Sequence, residues 1–365
     1  MRFSGFDDEW KTYKLKDLLH NKSSSISINQ LDDNVGNYPL YGASGFLKCI
    51  DFYEMDSDYI SIVKDGSGVG NISFHEKNTS VVNTSQYILP KENLNIHFIF
   101  YLLQTINLNK YKTGSTIPHI YFKDYSIEKV KIPKYDEQKK IGILLKNLDA
   151  KIEILDNKLQ MCQNFKKYLM QQNFTQKLRF NIDDEWKQYK LKDVLTVKSS
   201  SISINQLEEN TGDYPLYGAS GFLKNIDFCE MDVDYISIVK DGSGVGNLSF
   251  HEKNSSIVNT SQYLLPKKNF NINFLYYLLQ TINLMKYVNG SSIPHIYFKD
   301  YCIEKINIPS LDEQEKIGKL FVDVDITMEN LNKNINATQE FKKGLLQQMF
   351  VVQLILSLLQ NKKHI

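Results

Sequence analysis

The chain has few of the features that mark a membrane, secreted or metal-bound protein. Across 365 residues no apolar run reaches the roughly 18 residues that a spanning helix needs. The opening Met1-Arg2-Phe3-Ser4-Gly5-Phe6-Asp7 lacks the apolar core of a secretory signal. A cytoplasmic protein without membrane contact is expected. Net charge is only +1, which does not advertise a strong stand-alone nucleic-acid binder. One stretch invites a nucleotide reading: Lys64-Asp65-Gly66-Ser67-Gly68-Val69-Gly70-Asn71. No Gly-Lys-Ser/Thr follows it, and its third glycine comes one residue too early for a dinucleotide fingerprint. Strand-like Tyr59–Val63 before it and alternating Ile72-Ser73-Phe74-His75 after it predict a loop joining two strands, in the manner of a hairpin.

What the sequence does have is a repeat. The same eight residues recur letter for letter at Lys240–Asn247. A shift of 176 aligns residues 8–174 with 184–350 without a gap, giving 117 identities in 167 positions. The match divides each copy in two: 101 of 130 positions agree over residues 8–137, but only 16 of 37 over residues 138–174. A globular part is kept nearly identical and a tail is kept only in pattern. The repeat also settles the few cysteines. Cys49, Cys162, Cys229 and Cys302 stand opposite Asn225, Thr338, Tyr53 and Ser126. A disulfide framework or zinc site would appear in both copies, so free thiols and no metal are expected.

The globular part reads as mixed α and β. Trp10–Leu19 suits a short helix or strand entry. Tyr59–Val63, Asn71–His75, Gln86–Leu89 and Ser126–Ile132 read as strands, and Ile96–Ile106 as a buried helix. Tyr38–Gly45, the Lys64 loop and Gly114–His119 carry turn chemistry and read as loops. The order is not that of alternating βαβ units, which disfavours a doubly wound parallel sheet. After Pro133, Asp136-Glu137-Gln138 signals a helix start, with acids at its positive end. Ile141, Leu145, Leu148, Ile152, Leu155 and Leu159 then recur at spacings of four and three, matched by Ile317, Phe321, Val324, Met328, Leu331 and Ile335. These six positions make a coiled-coil seam of about three heptads, whose continuation is interrupted at matching places by Lys166 and Lys342. A helix of about 39 residues would run roughly 58 Å. Pairing the two seams antiparallel buries both stripes and would relate the copies by a pseudo-twofold axis.

Charge is uneven along the chain. Residues 8–137 hold 14 lysines against 16 acids, and residues 184–313 hold 12 against 16. Residues 138–183 hold nine Lys/Arg against four acids. The globular parts are therefore slightly acidic and the first connecting segment is basic.

The opening "RFSGFDDEWKTYKLKDLL" has an echo in "RFNIDDEWKQYKLKDVL", and the helix starts "IPKYDEQKKI" and "IPSLDEQEKI" match each other. The motifs "YPLYGASGF", "ISIVKDGSGVGN" and "GSTIPHIYF" with "GSSIPHIYF" complete the set, in the order domain, helix, domain, helix. That ordered set, occurring twice, resembles the specificity subunit of Type I restriction–modification systems along nearly the whole chain. The resemblance implies an α+β protein. Two target recognition domains, residues 1–135 and 181–311, would be separated by conserved helices, residues 136–180 and 312–350, that form an antiparallel coiled coil. Each domain would read one half of a bipartite site on double-stranded DNA. The helices would act as a ruler and as the docking platform for two modification subunits, the methyltransferases that carry S-adenosylmethionine. Restriction subunits, which use ATP and Mg, would join them to cleave unmodified DNA. The chain itself would bind no cofactor and catalyse nothing. The residues agree on the last point: no Asn/Asp-Pro-Pro-Tyr/Phe methyltransferase motif occurs, and the Glu137-Gln138-Lys139 that mimics a nuclease pattern is Glu313-Gln314-Glu315 in its repeat. His75/His251 and His119/His295 are the duplicated histidines, with no triad around them.

Two departures from that family stand out. Its recognition domains usually differ from one another, whereas here they are the more alike parts. Two near-identical readers on antiparallel helices predict an interrupted, nearly palindromic target, with half-site centres at most about 17 bp apart at ~3.4 Å per base pair. The chain also continues past Phe350 with an apolar and basic tail, residues 351–365. The candidate DNA-binding residues are Lys64, Ser67, Asn71, Lys112, Thr113, Ser115, Thr116, His119 and Tyr121. Their counterparts are Lys240, Ser243, Asn247, Asn289, Ser291, Ser292, His295 and Tyr297, with Val288 opposite Lys112. A non-enzymatic coiled-coil scaffold with duplicated protein-binding heads is the rival reading.

Overall fold

The computed structural model describes residues 2–31, 34–180, 185–207 and 210–351. The tail noted above, from residue 352 on, lies outside the described residues. By its contacts the chain divides into two units: residues up to Asp156 with those from Lys333, and Asn157–Asn332. Each unit holds one globular part, the first part of the long helix that follows it, and the last part of the other long helix.

In the first unit the elements are β1 (Lys11–Lys14), α1 (Leu15–Leu18), β2 (Leu19–Ser23), β3 (Tyr38–Gly42), β4 (Gly45–Ile50), β5 (Tyr59–Val63), β6 (Ile72–His75), β7 (Ser80–Val81), β8 (Ser85–Pro90), α2 (Ile96–Gln104), α3 (Phe122–Tyr125) and β9 (Lys129–Ile132), leading into α4 (Tyr135–Phe174). An antiparallel sheet runs β2-β8-β5-β6, a smaller one runs β4-β3-β7, and β1 pairs with β9. All five residues of β5 are buried, and alternation sends them to two cores. Ile60 and Ile62 join Ile88, Phe98 and Ile99 under α2, while Tyr59 joins Tyr87, Met55 and Val81 on the other side. Each such isoleucine contributes about 1.5–3 kcal/mol of burial.

The second unit repeats this plan. It comprises β10 (Lys187–Lys190), α5 (Leu191–Val194), β11 (Leu195–Ser199), β12 (Tyr214–Gly218), β13 (Gly221–Ile226), β14 (Tyr235–Val239), β15 (Leu248–His251), β16 (Ser256–Ile257), β17 (Ser261–Pro266), α6 (Ile272–Gln280), α7 (Phe298–Tyr301), β18 (Lys305–Ile308) and α8 (Leu311–Leu346). Its sheets run β11-β17-β14-β15, β13-β12-β16 and β10-β18.

Two local expectations need correction. Tyr38–Gly45, read as a loop, is mostly a hairpin: β3 and β4 pair antiparallel across a tip at Ala43-Ser44, with a register shift at Leu40/Tyr41. Ser126–Ile132 is not one strand. Ser126 closes α3 through its N–H to Phe122 O at 2.8 Å, and the strand begins at Lys129.

The long helices are held to their domains by polar contacts. Gln138 accepts the Asn95 N–H at 3.0 Å and donates to Pro133 O at 2.9 Å. Asn95 in turn caps α2 by accepting the Phe98 N–H at 3.0 Å. Here α4 comes so close that a Cβ on Gly142 would lie 2.6 Å from Asn95 Oδ1, so the position admits only glycine without movement. Glu137, read from the sequence as an acid at a helix start, is buried in a bidentate pair with Arg2 at 3.0 and 2.7 Å. In the second unit Arg179 grips Glu313 in the same way, at 3.2 and 2.8 Å.

The seam follows the heptad pattern. Ile141 and Leu145 are buried with Leu345, Met349 and Phe350 in the first unit's core, where the start of α4 meets the end of α8. Ile317 and Phe321 share the second unit's core with Leu169, and Phe174 stacks on Phe321 at 5.9 Å. Within each unit the start of one long helix therefore meets the end of the other, the sense of an antiparallel pair. Leu148, Ile152, Leu155, Leu159, Val324, Met328 and Leu331 are half-buried along the same stripe, and Ile335 is buried. The lysines expected to interrupt the seam instead continue it. Lys342 pairs with Asp149 and Lys166 with Asp325, so each charge is met by a carboxylate. Among the described residues no helix is long and apolar enough to cross a membrane.

Candidate nucleic-acid interface

The glycine-rich loop joins β5 to β6 and is closed by its own backbone. The Val63 N–H donates to Asn71 O at 3.0 Å, the Gly70 N–H to Val63 O at 2.8 Å, and the Asn71 N–H to Gly68 O at 2.9 Å. Gly66, Gly68 and Gly70 all take positive φ, between 83° and 88°. That left-handed region is where glycine costs least, which explains the Gly-Ser-Gly-Val-Gly spelling without any phosphate.

The second candidate loop is bonded directly to the first. The Gly66 N–H donates to Pro118 O at 2.9 Å, and the Ile120 N–H to Lys64 O at 2.9 Å. Thr113 and His119 exchange two backbone bonds, at 2.9 and 2.8 Å, which pinch the Gly-Ser-Thr-Ile-Pro turn into a projecting loop. The second unit reproduces the arrangement, with the Gly242 N–H to Pro294 O at 2.8 Å and the Ile296 N–H to Lys240 O at 2.8 Å. Candidate residues about 50 positions apart in the sequence thus form one surface in each domain.

On that surface Ser67, Asn71, Lys112, Thr113, Ser115, Thr116 and Tyr121 are exposed. So are Ser243, Asn247, Asn289, Ser291, Ser292 and Tyr297 in the second domain. Lys64 and Lys240 are half-buried, and each ammonium lies within 3.8 Å of the next residue's carboxylate, Asp65 or Asp241. The surface offers short hydroxyl and amide groups with little surplus positive charge. Such groups suit hydrogen bonds to base edges and sugar–phosphate oxygens more than bulk attraction. Lys123 lies over the Tyr121 ring at 5.4 Å, and Lys299 over Tyr297 at 5.4 Å.

The duplicated histidines part company. His119 and His295 sit half-buried on this surface, each ring against the tyrosine two residues on, at 5.1 and 5.0 Å. His75 and His251 are buried elsewhere. His75 Nε2 meets Ser61 Oγ at 2.8 Å and stacks on Tyr59 at 4.9 Å, and burial lowers its pKa to about 4. It is a neutral core histidine. Among the described residues no group of His, Cys, Asp and Glu is placed to hold a metal ion.

Sequence reasoning missed part of this surface. Ala43, at the tip of the β3–β4 hairpin, lies 3.6 Å from where a Cβ on Gly68 would stand. The hairpin also carries Phe46, 61% exposed, and the Gly-Ser loop carries Ile117, 66% exposed. Phe222 and Ile293 are equally bare in the second domain. The signal was available: large apolar residues kept in both copies beside turn sequences that supply no core to bury them.

The model of the Type I restriction modification DNA specificity domain matches residues 7–162 and again 183–339. A protein described as a type I specificity subunit in Mycoplasma pneumoniae is 24% identical over 357 residues, covering 92% of this chain and 95% of its own. The MjaVIII type I restriction enzyme specificity subunit of Methanocaldococcus jannaschii is 26% identical over 198 residues, half of this chain and 46% of its own. The crystal structure of a type I restriction–modification S subunit from M. genitalium superposes with a TM-score of 0.77 at 19% identity, covering 95% of this chain and 97% of its own. The two matched segments coincide with the two halves of the repeat, each taking in a globular part and the start of a long helix. The chain belongs to the Type I restriction modification DNA specificity family, and its part in such a system is recognition rather than catalysis.

Proposed function

We propose that each domain reads one half of an interrupted double-stranded DNA target through the surface built by its glycine loop and its Gly-Ser loop. The two halves are nearly inverted copies of each other. One observation carries this reading: the loop Lys64–Asn71 and its counterpart Lys240–Asn247 agree in every residue and in their backbone bonds. They precede helices whose starts and ends meet in antiparallel sense within each unit. Like surfaces select like bases, and antiparallel supports present them to opposite strands.

On this reading the long helices dock two modification subunits, which bring S-adenosylmethionine. Restriction subunits bring ATP and magnesium, and this chain holds no cofactor of its own. Met161, Phe165 and Tyr168 support docking, because they are 53–70% exposed on α4, spaced four and three apart and off the seam. An apolar stripe of that kind suits a protein partner. Lys64 and Lys240 lie beside carboxylates and the domains are slightly acidic, so much of the DNA affinity comes from the docked partners. The assembly works where the DNA is, in the cytoplasm.

Gel shift tests the reading. The chain alone is expected to bind DNA weakly and salt-sensitively. The complex with two modification subunits should bind an interrupted inverted repeat tightly and lose it when either half is scrambled. Tight, sequence-selective binding by the isolated chain at physiological salt contradicts it. A partner-bound complex indifferent to DNA favours the scaffold instead.

A further inference from the structure

The two reading surfaces are not quite the same, and their differences are concentrated. The glycine loop, the hairpin from Tyr38 to Lys48 and the run Ile117–Tyr125 are identical in both domains. Many replacements in the cores exchange one aliphatic side chain for another, as with Leu18 against Val194, Ile72 against Leu248, Ile88 against Leu264 and Val130 against Ile306. Within the reading surface chemistry changes at three positions: Asn109 becomes Met285, Lys112 becomes Val288, and Thr113 becomes Asn289. The fourth change, Thr116 to Ser292, keeps its hydroxyl.

Two of the three, positions 109/285 and 112/288, lie at one spot beside the identical loop, and the third is the next residue along the chain. In the first domain the Lys112 side chain covers Gly70, with its Cε 3.4 Å from where a Cβ on that glycine would stand. In the second domain that place is taken by Met285, whose Sδ is 3.5 Å from the equivalent point on Gly246. Met285 is 60% exposed, while Val288 has turned in against the second domain's core. The same point on two otherwise matching surfaces therefore carries an ammonium donor in one copy and a soft apolar sulfur in the other.

These two groups favour different base edges. An ammonium has three donors and no acceptor, and in the major groove it suits the paired O6 and N7 acceptors of guanine. A thioether offers no strong donor and suits the thymine methyl. We infer that the two half-sites differ at the base pair over Gly70 and Gly246, guanine being favoured by Lys112 in the first and thymine by Met285 in the second. This inference rests on the near-palindromic reading given above.

The test uses the full chain with its modification subunit, followed by methylation-sensitive sequencing of host DNA. The triple variant N109M/K112V/T113N gives the first domain the second's chemistry, and M285N/V288K/N289T does the reverse. Wild type should yield inverted halves that differ at one position. Each triple variant should yield a perfect interrupted palindrome, one with the thymine in both halves and the other with the guanine. For any variant that methylates poorly, gel shift of the partner-bound complex on four duplexes differing at that position replaces sequencing, with an expected change in preference on the order of 10- to 100-fold. An unchanged motif overturns the inference. So does a uniform loss of affinity with a salt slope lower by about one, which marks Lys112 as a phosphate contact. A wild-type motif that is already a perfect palindrome overturns it too. Unrelated wild-type halves instead overturn the near-palindromic reading itself.

Discussion

Lys342 Nζ lies 2.5 Å from Asp149 Oδ1, inside a seam that heptad spacing reserves for apolar side chains. The Tyr101 hydroxyl donates to the same carboxylate at 2.6 Å, and the ammonium also lies over the Tyr101 ring at 5.1 Å. The second unit repeats the set, with Lys166 at 2.7 Å from Asp325 and Tyr277 at 2.8 Å from it. Burial and the neighbouring carboxylate push both tyrosine hydroxyls upward in pKa. A charge pair at this depth contributes less to stability than to register, since any other alignment strands the lysine among leucines. Asp149→Ala is therefore expected to cost about 1–3 kcal/mol, the pair being partly screened by solvent. Replacing Lys342 by Leu as well should recover most of that loss. Urea melts of the single and double variants measure both, and a double variant no better than the single contradicts the account.

Removing a single amide from the reading surface should act on one half-site only. Asn71 is exposed, and its amide nitrogen lies over Gly68 of its own loop. Asn71→Ala should leave stability within about 0.5 kcal/mol. It should also relax selectivity by about 1–3 kcal/mol at one position of the half read by the first domain. Asn247→Ala should do the same in the other half. Competition gel shifts with the partner-bound complex check both, and equal effects in the two halves from one substitution argue against separate readers.

Acid should weaken the fold before most carboxylates titrate. Burial lowers His75 and His251 to about 4 from an ordinary value near 6.5. Between those values the unfolded chain binds protons that the native one refuses, so stability falls as pH falls. The contribution is complete above about 6.5 and is lost as pH drops toward 4, at most about 3 kcal/mol per histidine. The variant H75Q/H251Q should flatten that window in thermal melts from pH 7 to 4. A slope unchanged by the double substitution contradicts this origin.

Partner docking has its own test. Phe165→Glu with Tyr168→Glu places two charges on the exposed apolar stripe of α4 without touching the seam. Melting should barely change, while modification-subunit affinity measured by calorimetry should fall at least tenfold.

Much of this is legible in the sequence. The repeat divides the chain into two like copies, and spacings of four and three mark an apolar stripe on each long helix. The glycine loop was recognisable as a strand connection because the residues a phosphate needs were missing. What could not be read was long-range. The bond between Gly66 and Pro118 joins segments with no sequence relation. Arg2 gave no hint that it grips Glu137 across the whole domain. The β3–β4 hairpin hid behind its proline and glycines, because Leu40 is the one buried residue of β3 and leaves little alternation to detect. Lys166 and Lys342 looked like breaks in a stripe, since their carboxylates lie on the other helix, 159 and 193 residues away.

The most direct measurement is the motif that the wild-type chain specifies. Co-expression with its modification subunit and methylation-sensitive sequencing of the host genome should reveal one interrupted motif whose halves are inverted copies, or differ at a single base pair. Two halves of unrelated sequence, methylated by that same pair of subunits, would contradict the claim that two like surfaces read like bases.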